Sequence, residues 1–323
     1  MSHIKKTRPV RRLLVAAAVL PVVLLSACGD DGSDALDEEP EGGDSGGGTA
    51  VIAGQGYTEM QIMSEMYAAL LADAGYDTTI KTVESRDVYA PQLIKGNVDL
   101  SADYASSMTE YLNKAANGPD ADVVASPDIE VTIEELTRLG AEEGIEPLEP
   151  AEAEDANAFA VTKEFSEDND VTTMSDLGAL GEPIVLAAAP DCPERDDCAV
   201  GLEETYGLDI TKVEPLGFGT TQTKDALTSG EVQLGQVGTS DGSLEQLGLV
   251  VLEDDKDLQN AENLVPVVNS AWLEENADVA DVLNQLSDVL TTEDLMMLNG
   301  QVDVDRELPA DVATAYLEDK GLI

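Results

Sequence analysis

The chain has 323 residues, more than one compact core ordinarily needs, and 43% of them are hydrophobic, enough to build folded lobes. With 66 Asp and Glu against 17 Lys and Arg, its formal charge is −49. Such a surface repels nucleic acid and anionic lipid and stays soluble in high salt, where self-repulsion is screened. The single histidine is His3, inside a segment read below as removed. Ser–His and Cys–His nucleophile pairs and histidine-ligated metals are therefore excluded from the mature chain, and no enzyme activity, metal or cofactor is expected.

The N-terminus reads as an address. Lys5, Lys6, Arg8, Arg11 and Arg12 precede an apolar stretch from Leu13 to Leu25, shorter than the ~20 apolar residues a spanning helix needs. A charged start, an apolar middle and a small-residue end describe an export signal over residues 1–27. Its end, Leu25-Ser26-Ala27-Cys28, resembles a bacterial lipobox, in which the cysteine thiol is lipid-modified and becomes the first residue. Residues 28–49 are mostly Gly, Asp, Glu and Ser. They hold too little apolar surface to offset ordering entropy, so a flexible, acidic, lipid-anchored linker is expected. Such a tether fits a capture role and a cell-surface enzyme equally well.

Val51-Ile52-Ala53 reads as a strand, broken by Gly54 to Thr58, with Thr58 able to cap a helix. Glu59 to Ala74 carries Ile62, Met66, Ala69 and Leu70 at helical spacing, and Gly75 stops it. Thr78 to Val83 alternates as a strand. Ala90 to Lys95 reads as a helix ended by Gly96, and Val98 to Leu100 as another strand. This β-α-β-α-β order implies a parallel sheet whose ligands lie at the strand ends, in loops 54–58 and 101–107. The plan recurs with a strand at Pro183–Ala188, a helix at Cys198–Tyr206 ended by Gly207, and a strand at Lys212–Leu216. A helix at Lys224–Ser229, a strand at Val232–Val237 and a loop at Gly238–Gly242 follow. Val250–Leu252 and Leu264–Val268 are further strands, and helices run from Ser270 to the end. Cys192 and Cys198, close together in an exported chain, read as a disulfide; two thiols alone make half a zinc site.

Two α/β lobes with a late return are the plan of a periplasmic-type binding protein, which closes on a small ligand by a hinge. Particular residues then resemble one family, the glycine betaine/carnitine/choline binding proteins of ABC transporters. They are Gly54-Gln-Gly-Tyr-Thr-Glu59, Leu93 to Leu100 with Ala102-Asp-Tyr104, and Asn157-Ala-Phe-Ala-Val161 with Met174-Ser-Asp-Leu177. Tyr206-Gly-Leu208, Ser229-Gly-Glu-Val232, Ser240-Asp-Gly242, Val251 to Lys256, Val265 to Val268, and Thr291 to Leu295 with Leu298-Asn299 and Gln301-Val302 continue the match. The resemblance implies an α/β, two-lobed periplasmic-binding-protein fold of type 2, each lobe a mostly parallel sheet with flanking helices. Lobe 1 is expected to take residues 50–155 plus 260–323, and lobe 2 residues 156–259.

The same resemblance implies an extracytoplasmic, monomeric lipoprotein on the outer face of the cell membrane. It would capture a small osmoprotectant and deliver it to an ABC permease. In the family, aromatic rings cage a quaternary ammonium. Carried over, Tyr104 is a cage residue, Asn157 a polar contact, Phe159 a second aromatic, and Ser107 a position that varies with ligand. Tyr57, Gln61, Thr239 and Ser240 join them as expected cleft residues. Three positions depart from the pattern: Met60 stands where Gln is common, and Lys224 and Gly238 stand where Tyr is common. The second-lobe half of the cage is then missing unless Tyr57, Tyr89 or Phe218 substitutes. Lys224, if it faces the cleft, favours an anionic group. The alternatives are the same transport role for another zwitterionic or anionic nutrient, ergothioneine-like for example, and a surface hydrolase working with carboxylates.

Overall fold

The computed structural model describes residues 48–323; the expected leader, the Cys28 lipid site and the linker up to Gly47 lie outside the described residues. Strand side chains point alternately to opposite faces. In β1 (Thr49–Gln55) this sends Ala50 and Ile52 into one core and Val51 and Ala53 into another, as a central strand covered on both faces requires. β1 pairs in parallel with β2 (Asp77–Val83) and with β3 (Leu100–Tyr104). Next to β3 lies β10 (Leu264–Asn269), antiparallel to it and to β4 (Ile145–Pro147), giving the order β2-β1-β3-β10-β4. One face is covered by α1 (Thr58–Asp73), α10 (Asp278–Ser287), α11 (Thr292–Asp303) and α12 (Pro309–Lys320). The other is covered by α2 (Arg86–Lys95), α3 (Ala105–Asn117) and α4 (Ile129–Glu143).

The second sheet repeats the scheme. β6 (Pro183–Ala187) pairs in parallel with β7 (Asp209–Glu214) and β8 (Leu234–Gly238). β5 (Asn157–Thr162) runs antiparallel to β8 and to β9 (Leu249–Val251), in the order β7-β6-β8-β5-β9. Phe159 and Val161 of β5 face α6 (Met174–Leu180) and α7 (Ala199–Tyr206); Ala158 and Ala160 face α8 (Thr221–Thr228). Four strands of each sheet share one direction, and the reversed strand is the one that begins just after the chain has crossed from the other sheet. The two crossings lie side by side. Leu264 N donates to Ala153 O at 2.8 Å, Ala151 N to Leu264 O at 2.8 Å, and Asp155 N to Glu262 O at 3.1 Å.

Several elements differ from the expectations. Tyr57, not Thr58, is the N-cap of α1, and the Thr58 hydroxyl donates instead to Asp303 Oδ1 at 2.5 Å. α2 starts at Arg86 rather than Ala90 and carries Pro91 inside it; the carbonyl that Pro91 leaves unbonded belongs to Asp87, which is exposed to water. The loop expected at 101–107 does not exist: β3 runs to Tyr104, which is already the N-cap of α3. The expected strand at 98–100 is correspondingly displaced toward the C-terminus. No element is expected from the sequence between 105 and 150, where α3, α4 and β4 lie. Cys192 and Cys198 are joined, with 5.2 Å between their Cα atoms, and both are fully buried beneath the turn that leads into α7.

Closing that loop, with a separation of 6 residues, removes chain entropy from the unfolded state worth about 2 kcal/mol. Urea unfolding of Cys192→Ser/Cys198→Ser is expected to show a stability lower by about that amount, with a slope equal to or slightly steeper than that of the wild type because the unfolded chain is less constrained.

Candidate functional site

A cavity of about 360 Å³ lies between the two sheets, within the size range of small-ligand pockets. The first sheet's side supplies the end of β1 and start of α1 (Tyr57, Thr58, Glu59), with Asn299 and Asp303 from α11. The second supplies Phe218, Gly219 and Lys224 around the start of α8, and Gly238 to Gly242 after β8. Asp155, on the first crossing, lines it as well. Tyr57 is 42% and Phe218 47% exposed, and they are the only exposed aromatic rings among the described residues. Both line this cavity, from opposite lobes.

Beneath the rings lies a buried polar seam. The Tyr57 hydroxyl donates to the Tyr104 hydroxyl at 3.2 Å, and Tyr104 donates to Glu59 Oε1. Glu59 Oε2 accepts from Asn299 Nδ2 at 2.7 Å, and the same amide donates to Ser240 O at 3.1 Å. Asn299 therefore stitches α11 to the loop after β8. At that joint backbones touch: a Cβ on Gly242 would lie 2.3 Å from Met296 O and 2.4 Å from Gly300 N. Glu59 is 4% exposed. Burial, then the charge of Asp155, pushes its carboxyl up to about 7, against hydrogen bonds from Tyr104, Ser240 and Asn299. Asp155 is likewise raised, by burial and by Asp241, while the Ser240 side chain and amide oppose the shift. Desolvation of their hydroxyl ends raises Tyr57, whose ring is otherwise exposed, and Tyr104, so both stay protonated and remain donors. Two buried polar atoms of cavity-lining residues have no partner, Asp155 Oδ1 and Asn299 Oδ1.

The expected site residues divide into groups. Tyr57, Lys224 and Ser240 line the cavity. Lys224 pairs its charge with Asp241 Oδ2 at 2.8 Å and donates to Ser243 Oγ at 2.9 Å, two of its three N–H donors, so its charge is already matched by a carboxylate of the chain. Tyr104 is 7% exposed and reaches the site only through its hydroxyl, its ring packing in the lobe core. Met60 is 1% exposed and belongs to that core. Gln61 turns back to the Gly56 carbonyl at 2.6 Å. Ser107 gives its amide and hydroxyl to Glu262, at 3.0 and 2.8 Å. Asn157, Phe159 and Thr239 line a second cavity of about 320 Å³. There Asn157 is fully used, donating to Asp197 O and Gln259 Oε1 and accepting from Gln236 Nε2. Phe159 is 3% exposed in the second-lobe core, and the Thr239 hydroxyl bonds Glu154 O and Ala156 N. Gly238 has a steric cause: a Cβ there would lie 2.5 Å from Asp155 Oδ1 and 3.5 Å from Phe218 Cζ.

Glu59, Asp155, Asp241 and Asn299 are the site residues that the sequence does not single out. Glu59, Asp241 and Asn299 fall inside motifs quoted above; nothing local marks Asp155. Among the described residues no group of three or more His, Cys, Asp or Glu is placed to hold a metal, and no helix is long and apolar enough to cross a membrane.

Comparison with known proteins gives a consistent picture. A family model described as the substrate binding domain of ABC-type glycine betaine transport system matches residues 48–319. A glycine-betaine-binding protein of Pseudomonas aeruginosa is 26% identical over 286 residues, 85% of this chain and 89% of that protein. The glycine betaine-binding protein YehZ of Escherichia coli is 25% identical over 274 residues, 82% of this chain and 88% of that one. Apo YehZ from Escherichia coli, a solved structure, superposes with a TM-score of 0.74 at 24% identity, covering 85% of this chain and 99% of its own.

The buried carboxyl sets a pH dependence. Glu59 holds its proton more tightly folded than unfolded, so its stabilising contribution is complete below pH 4.5 and is lost as pH rises through about 7. Between pH 5 and 8 the ligand-free protein is expected to lose on the order of 2 kcal/mol through this group. Glu59→Gln removes that part of the slope and relieves Asp155. Glu262 and Asp99, also raised by burial, to about 7 and about 6, act alike in both proteins. Thermal melts across this range check it: equal slopes for the two proteins contradict the assignment.

Proposed function

The chain belongs to the family of substrate-binding domains of ABC-type glycine betaine transport systems, and from that footing we propose that it is a lipid-anchored extracytoplasmic capture protein. It closes its lobes as a monomer on a quaternary-ammonium osmoprotectant and hands it to the permease. The observation that carries this reading is the pair of exposed rings, Tyr57 and Phe218, set on opposite lobes around one cavity. An exposed aromatic face has a hydration cost that a cation repays through the ring quadrupole. A trimethylammonium group suits it well, since it has no N–H and needs no hydrogen-bond acceptor.

Phe218 takes the part of the second-lobe aromatic that Lys224 and Gly238 leave out of the family pattern. Its Cζ comes within reach of the Cβ position of Gly238, so a ring from the loop before α8 stands near where a tyrosine at 238 would begin. The pairing of Lys224 with Asp241 removes the feature that favoured an anionic nutrient. Closure has a ready latch in the Gly242–Gly300 contact and the Asn299 bridge.

Anchoring rests on the lipobox-like Leu25-Ser26-Ala27-Cys28 and the acidic tether after it. Replacing Cys28 by Ser is expected to move the protein from the membrane fraction to the medium. Retention in the membrane argues against the anchor.

Calorimetry with glycine betaine, choline, carnitine and proline betaine tests the capture reading. Phe218→Ala and Tyr57→Ala are each expected to weaken the best ligand by about threefold to thirtyfold, while Tyr57→Phe retains most of the affinity. Failure of every compound to bind the folded protein ends this reading.

A further inference from the structure

We propose that the cavity selects a quaternary-ammonium alcohol that carries no carboxylate, choline being the simplest, over the zwitterionic betaines. The inference rests on the reading that this cavity is the osmoprotectant site, and it concerns which chemistry of osmoprotectant enters.

A betaine brings a carboxylate that must be met by a cation or by free N–H groups. Lys224 and Arg86 are each already met by a carboxylate of the chain, and of the two only Lys224 lines the cavity. Lys224, the cavity's one basic lining residue, is held by Asp241 and Ser243. Arg86 is clamped by both oxygens of Asp103, which is fully buried. The start of α3, where helix amides favour an anion, is taken by Glu262, held by the amide and hydroxyl of Ser107.

The unpartnered polar atoms of the cavity-lining residues are of the opposite character, and both are buried. Asp155 Oδ1 has no partner, and neither does the side-chain oxygen of Asn299, which is only 7% exposed. Both are acceptors. Glu59 stands between them in the same wall. A ligand hydroxyl can donate to such an oxygen, and a cationic head is drawn to Asp155 and Glu59. A ligand carboxylate can do neither, and meets like charge in a site of low dielectric. Asp155 is positioned for this by its place on the crossing and by Gly238, where any side chain would displace it.

The test compares choline with glycine betaine, which share the trimethylammonium head, by calorimetry on the wild-type protein and on Asp155→Asn. Choline is expected to bind the wild type at least about tenfold more tightly. In Asp155→Asn that ratio is expected to shrink toward unity through loss of choline affinity, with a thermal melt confirming the fold. Betaine binding as tightly as choline to the wild type overturns the inference and leaves the transport reading standing. An unchanged ratio in a folded Asp155→Asn overturns the role of Asp155. No binding of either compound, nor of carnitine or proline betaine, removes the transport reading and this inference with it.

Discussion

The chain crosses between its two sheets twice, and the two crossings are hydrogen-bonded to each other. Ala151, Ala153 and Asp155 face Glu262 and Leu264 through backbone bonds of 2.8–3.1 Å, so the connection is a short two-stranded ribbon rather than a pair of loose linkers. A ribbon of this kind fixes register between the lobes while leaving twist and bend soft, which is what hinge closure needs. It also explains why one strand in each sheet runs backward. β5 and β10 are continuations of the ribbon, and each must enter its sheet against the direction set by the βαβ units. The cavity between the sheets lies against this ribbon, and Asp155 lines it from there.

On the first-lobe side the seam from Tyr57 through Tyr104 to Glu59 and Asn299 converts a static wall into a joint. Glu59 lies in the first turn of α1, where the helix dipole favours an anion, yet burial and Asp155 favour its protonated form. A group balanced in this way responds to a cation arriving beside it by releasing its proton. Asn299 bridges the two lobes at this point, because one amide holds both Glu59 and the Ser240 carbonyl.

Much of the scaffold is legible from pattern alone. Val51 to Ala53, the Ile62–Met66–Leu70 stripe and the glycines at 75, 96 and 207 mark elements where local preference and tertiary packing agree. β3 is legible only at its edge, because Ser101 and Asp103 are fully buried in a central strand. Asp103 is tolerated there through Arg86 and Tyr89, 17 and 14 residues away, and such pairing leaves no trace in the alternation of apolar residues. The site is harder still. Met60 and Glu59 are adjacent, but successive helical positions point about 100° apart; Glu59 reaches the cavity and Met60 the core. Asn157 and Phe159 share one face of β5, and that face looks onto the second cavity and its core rather than the exposed rings. Phe218 is one ring in a loop until the structure sets it opposite Tyr57. Asp155 acquires meaning only from the ribbon.

The overall charge and the local charge do different work. A chain with 66 acidic residues draws cations of every kind toward it. In the saline medium that such a surface suits, this attraction fades within about 10 Å or less. It therefore raises encounter rates modestly and distinguishes nothing, since sodium and potassium feel it as strongly as any osmolyte. Discrimination has to come from groups that salt does not reach. Glu59 and Asp155 are such groups, buried where the dielectric is low, and the rings of Tyr57 and Phe218 favour a large, weakly hydrated cation over a small, strongly hydrated one. The acidic exterior and the pairing of Lys224 with Asp241 thus act in the same direction as the proposed preference for a positive guest with an apolar head and a hydroxyl.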